Sequence, residues 1–158
     1  MTDYSANQAT VGARRRAPVQ VAALLVGVVF LLVGVLGFIP GVTTNFEQLT
    51  FAGHQSEAAL LGIFNVSVLH NIVHLLFGIA GVLAARTFSA ARTYLIVGGI
   101  IYLALFVYGM LIDHDSAANF VPVNTADNYL HLALGLGMVA LGALLGRRAP
   151  TGHTTSRA

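Results

Sequence analysis

The amino-acid sequence predicts an all-α integral membrane protein, a four-helix bundle made of two tandem helical hairpins with both termini in the cytoplasm. Three observations predict it. Hydrophobic residues make up 56% of the 158 residues and charged residues only 9%, against about 25% charged in soluble domains; mean hydropathy is +0.79. The apolar residues gather in runs near the roughly 20 residues a helix needs to cross a bilayer. All eight basic residues are Arg, and they fall in short clusters on one side of a four-span arrangement.

Residues 1–17 are polar, lack apolar periodicity and end in Arg14, Arg15 and Arg16, so they read as a disordered cytoplasmic tail with a basic stop. The first span is expected at 19–39. A cleaved signal peptide is the rival reading, but the apolar run is too long and FIPGVTT follows in place of a small-residue cleavage site. A mixed loop, 41–57, carries Glu47, His54 and Glu57 and no Arg. The second span is expected at 58–85, long enough to tilt or to project a turn above the surface. Arg86 and Arg92 bracket a short connection to the third span, 94–112, which closes in Asp113, His114 and Asp115. Asn124 followed by Asp127 reads as a helix start with an acid in its first turn. The fourth span, 128–146, stops at Arg147 and Arg148, completing a transmembrane domain over 18–148, and 149–158 is a second cytoplasmic tail.

The arginines place the termini and the 86–92 connection inside; Glu47, Glu57, Asp113, Asp115 and Asp127 fall outside with no compensating base. The pI near 9.4 therefore reports topology rather than nucleic-acid binding. With no Cys, disulfides, thiolate metal sites and cysteine nucleophiles are excluded.

The two halves repeat. HNIVHLLFG (His70 to Gly78) aligns with DNYLHLALG (Asp127 to Gly135), matching Asn71 to Asn128, His74 to His131 and Gly78 to Gly135. VGVVFLLVGVLG (Val26 to Gly37) follows the pattern of GGIIYLALFVYG (Gly98 to Gly109). Such a parallel repeat puts His74 and His131 at similar depth in the outer half of the bilayer.

Asn71, His74, Asn128 and His131 are thus the candidate polar intramembrane site. Four readings stand open. The residues hold helices together by hydrogen bonds, with the many glycines letting backbones approach. Or His70, His74, His131 and Asp127 bind a divalent metal ion; or His74 and His131 ligate a haem iron axially; or the histidines relay protons. The pair His70 and His74, four apart on one helical face, does not decide among them. Asp113-His114-Asp115 reads as a solvated helix end more readily than as a cation site, and Tyr94, Tyr102, Tyr108 and Tyr129 as interface or packing aromatics. Phosphate loops and catalytic elbows are absent, so no enzymatic activity is expected.

HNIVHLLFG, DNYLHLALG and VGVVFLLVGVLGFIPG together resemble a bacterial family of small four-span membrane proteins, domain of unknown function 4383, over about residues 19–147. The resemblance implies four transmembrane helices and a plasma-membrane location. It implies no activity, so no catalytic residue carries over. The expectation is a non-enzymatic membrane protein that binds a metal ion or haem, or an accessory protein whose acidic outer loops meet a membrane partner or a second copy.

Overall fold

The computed structural model describes residues 15–147. The expected tails lie largely outside these residues, as do Arg14, Arg148 and Arg157. Four α-helices follow one another: α1 (Pro18–Leu36), α2 (Val68–Ala84), α3 (Phe88–Leu111) and α4 (Thr125–Leu144). Three two-residue strands, β1 (Thr43–Thr44), β2 (Ala59–Leu60) and β3 (Phe64–Asn65), form an antiparallel sheet in the α1–α2 connection.

Pro18 opens α1, where its missing N–H and fixed φ cost nothing. Gln20 accepts from the Ala17 N–H and donates to the Ala85 carbonyl, tying the start of α1 to the end of α2. The inner face of α1 is small, with Ala22, Ala23, Gly27 and Gly34 buried beside Val19 and Phe30, while Leu25, Val29, Leu32 and Val35 face outward. Small inside and large apolar outside suits a lipid solvent, where helices associate by close backbone packing. α1, α3 and α4 are each long and apolar enough to cross a membrane.

The second helix corrects the expected span at 58–85. It starts only at Val68; Ala59 to Asn65 turn back on themselves as β2 and β3, through Leu61 and Gly62, both in the left-handed region at φ 56° and 70°. Leu61 takes a conformation costly for a side-chain residue, held by the pairings on either side. Ser67 caps α2, accepting from the His70 N–H at 3.1 Å. The start was legible: Ser before an apolar helical period is a cap signal, and the largely apolar run 58–66, broken only by Asn65, masked it. α3 likewise begins at Phe88 rather than at 94, capped by Thr87, so Arg92 sits on the helix and the connection shrinks to a turn. α4 starts at Thr125 behind the Asn124 cap, as its sequence led one to expect.

α1 packs most extensively on α2, and α3 on α4; contacts between these two pairs are fewer, chiefly α1 with α3. Inside each pair the backbones nearly touch. A Cβ built on Gly27 would sit 2.9 Å from the Gly78 carbonyl oxygen, and one on Gly99 2.8 Å from that of Gly135. The pairs are joined in the middle by aromatic rings: Phe30 stacks on Tyr102 at 5.4 Å, and Phe77 meets both edge-on. At one end the Gly53 N–H donates to the Phe120 carbonyl and the Asn65 N–H to Asp127, tying the two long connections together. At the other end Arg15, Arg16 and Arg86 line one groove, and Arg92 lies beside Gly146.

Candidate functional site

The four residues Asn71, His74, Asn128 and His131 do not form one site. Asn71 is fully buried on α2, its amide seated over Gly37 at the C-terminal cap of α1; Asn128 is seated in the same manner over Gly109 of α3. Each asparagine therefore belongs to its own hairpin. Asn71 finds no hydrogen-bond partner at either amide atom, and the Asn128 amide nitrogen lies 3.4 Å from His114 Nε2, a nitrogen whose proton goes to the Gly109 carbonyl. Their fit is steric, a short side chain filling the notch that a glycine leaves, and the interhelical hydrogen bonds expected of them are not made among the described residues.

The histidines converge instead. His70 and His74, one turn apart on α2, bring their rings to 4.5 Å. The His74 ring lies 5.7 Å from Phe30, and the His131 ring of α4 packs edge-on to Tyr102 at 5.3 Å. His70, His74, Tyr102 and His131 together wall two cavities. One, of about 140 Å³, extends between α2 and α3 under the 112–124 connection, lined also by Val73, Leu105 and Phe120. The other, of about 110 Å³, lies toward the small sheet, lined also by Leu60, Phe64 and Leu134. Nδ1 of each histidine is buried without a partner. A buried polar atom left unpaired costs on the order of 1–3 kcal/mol, so three in one place need an explanation.

Asp127 stands at the edge of this cluster but serves the fold. One carboxylate oxygen accepts from the Asn124 N–H at 2.9 Å and from the Asn65 N–H at 3.0 Å, while Asn124 accepts from the Asp127 N–H in return. This reciprocal cap fixes the start of α4 and anchors β3 to it. Asn124 adds a bond from its amide to the Ile63 carbonyl. The expected metal set of His70, His74, His131 and Asp127 lines the smaller cavity together, but the Asp127 carboxylate is already engaged in closing a helix end. Among the described residues no group of three or more His, Cys, Asp or Glu is placed to hold a metal ion. Haem fits no better, because cavities of 140 and 110 Å³ have the room of a single ring, about the 150 Å³ that accepts benzene, and a porphyrin is several rings wide.

Asp113-His114-Asp115 is a helix terminus. The Asp113 carboxylate accepts from the Asp115 N–H, and His114 Nε2 donates to the Gly109 carbonyl at 2.9 Å, satisfying one of the last carbonyls of α3. Asn119 then clamps the loop over the cavity, donating to the His114 and Val123 carbonyls and accepting from the Val123 N–H. Sequence reading missed the role of Tyr102, treated as a packing aromatic, and the whole roof at 119–123. The alignment of Tyr102 with Phe30 was the available signal for the first; nothing local marks the second.

No curated protein and no solved structure matches the chain. A family model does match, over residues 20–144, which take in the four helices save the first two residues of α1, and the pocket between them. On that match the chain belongs to the family described as domain of unknown function (DUF4383).

Proposed function

We propose that this chain is a four-span, non-enzymatic protein of the plasma membrane, with both termini cytoplasmic, that holds a small membrane-soluble molecule in the pocket where its two hairpins meet. The observation that carries the binding role is the set of three imidazoles, each with a buried and unpaired Nδ1, walling two ring-sized cavities. Neutral imidazoles kept under-bonded in an apolar interior are a standing cost that a bound molecule would offset. The bilayer is the source of that molecule, and no nucleic acid is involved.

α2, at 17 residues, is about 26 Å long, within the range that crosses a hydrocarbon core, and so serves as the fourth span. Orientation rests on the arginines at one end of the bundle and Glu47, Glu57, Asp113, Asp115 and Asp127 at the other. The reading of the hairpins as repeats is supported by matched contacts: Gly27 with Gly78 and Gly99 with Gly135, Gly37 under Asn71 and Gly109 under Asn128, Phe30 by His74 and Tyr102 by His131. An accessory role without a ligand, with the acidic loops meeting a membrane partner or a second copy, is favoured by one observation. Asn71 and Asn128 clamp helices and line neither of these two cavities.

The test has two arms. In a chain without Cys, single substitutions Glu57→Cys and Ser116→Cys label from outside intact cells, and Ser89→Cys only after the membrane is opened; the reverse pattern overturns the topology. For the pocket, protein in lipid nanodiscs is melted with and without small aromatic compounds. Saturable stabilisation is expected, about 2.7 kcal/mol at a hundredfold excess over Kd. Its absence for every ring tried, or a stoichiometric metal ion in the purified protein, overturns the reading.

A further inference from the structure

We infer that the pocket selects a neutral aromatic ring bearing a hydroxyl group, a lipid-soluble phenol, with the ring between Tyr102 and the 119–123 roof and the hydroxyl on the imidazole cluster. This deepens the proposed binding role and rests on it.

Size comes first. The larger cavity, about 140 Å³, has the room of one six-membered ring. Its walls away from the histidines are Val73, Leu105, Val121 and Val123 with the rings of Tyr108 and Phe120, a surface that suits an apolar, planar body. Charge narrows the class further. No Arg lines either cavity, which disfavours an anion, and the one carboxylate nearby, Asp127, already accepts two backbone N–H groups, which disfavours a cation.

The polar end decides the rest. A neutral imidazole has one donor nitrogen and one acceptor nitrogen, and three such rings, His70, His74 and His131, line the same two spaces. A carbonyl or ether oxygen can only accept and so serves one orientation of each ring. A hydroxyl both donates and accepts, and fits the cluster whichever nitrogen carries the proton. Access follows from packing: α2 and α3 touch far less than the helices within each hairpin, and Val73 and Leu105, which border the cavity, are partly exposed on that side. A ring entering from the lipid reaches the histidines there, leaving an alkyl tail among the acyl chains.

The experiment uses the full chain in lipid nanodiscs carrying Phe120→Trp, a reporter at the cavity wall in a protein with no other Trp. It is titrated with 4-propylphenol and with the matched methyl ether, concentrations being counted in the membrane phase. The phenol is expected to give a saturable fluorescence change at about tenfold lower concentration than the ether, the worth of one hydrogen bond. His131→Leu and His70→Leu should erase that preference while leaving ring binding, and His131→Gln should restore part of it. Equal affinity for phenol and ether overturns the phenol class and leaves the ring-binding pocket standing. Saturation by neither compound overturns both, and so marks the cavities as sites for water alone. Loss of the preference in a control on the far side of the bundle, Leu25→Ala, overturns the assignment to the histidines.

Discussion

At the scale of single residues the fold separates two kinds of polar side chain that look alike in the sequence. Asn71 and Asn128 fill notches over Gly37 and Gly109, whereas His70, His74 and His131 meet in the middle, short of partners. The consequence is opposite in sign for substitution. Without ligand, His74→Leu should leave thermal stability unchanged or raise it by on the order of 1 kcal/mol, because it removes a buried atom that has no bond to lose; a fall of more than that in a thermal melt would restore the histidine to a packing role. Glycines behave the other way. Gly27→Ala would put a methyl 2.8 Å from the Val82 nitrogen and 2.9 Å from the Gly78 oxygen, backbone atoms that cannot swing aside. Overpacking of this kind should cost on the order of 1–3 kcal/mol. Gly137→Ala, with nothing within 4 Å of the added methyl, should instead be neutral or gain up to about 1 kcal/mol from helix propensity. Circular-dichroism melts of the two variants side by side check both.

At the scale of elements, the caps decide where helices begin, and one of them does a second task. The Asp127 carboxylate closes α4 and holds β3. Asp127→Ala should therefore cost on the order of 1–2 kcal/mol for the cap alone and should also loosen the 59–65 turn, seen as faster hydrogen exchange at Asn65 and Ile63. An unchanged exchange rate there would mean that the sheet stands without α4. The element most poorly legible in the sequence was this same stretch. Ala58 to Val66 is apolar enough to continue a membrane helix, and periodicity does not distinguish a short buried hairpin from one more turn of helix. Gly62, which turns the strands, and Ser67, which caps α2, were present as signals and were outweighed by hydropathy. Helix starts with strong local chemistry fared better: Asn124 and Asp127 stand where a capping pair should.

At the scale of the whole molecule, two tightly packed hairpins meet through a few rings in the middle and through loop hydrogen bonds at one end, and Phe30 is the hinge pin of the ring joint, touching His74 and Phe77 of its own hairpin and Tyr102 of the other. Phe30→Ala should cost on the order of 3–5 kcal/mol and split the melt into two steps, each hairpin keeping its helix content after the joint has parted. A single cooperative melt at a slightly lower temperature would mean that the loop hydrogen bonds hold the hairpins together without these rings. The sequence alone determined the helical class, the apolar runs, the segregation of Arg from acid, the cap of α4 and the pairing of N-x-x-H-L-x-x-G stretches, because each depends on hydropathy, charge or neighbours within a turn. Only the tertiary structure decided that the asparagines and histidines part company, that Asp127 caps α4 and holds β3, and that Tyr102 and the 119–123 loop complete a pocket. Those facts depend on which face of one helix meets which face of another, and close packing of glycine against backbone, carried by no local signal, sets that choice.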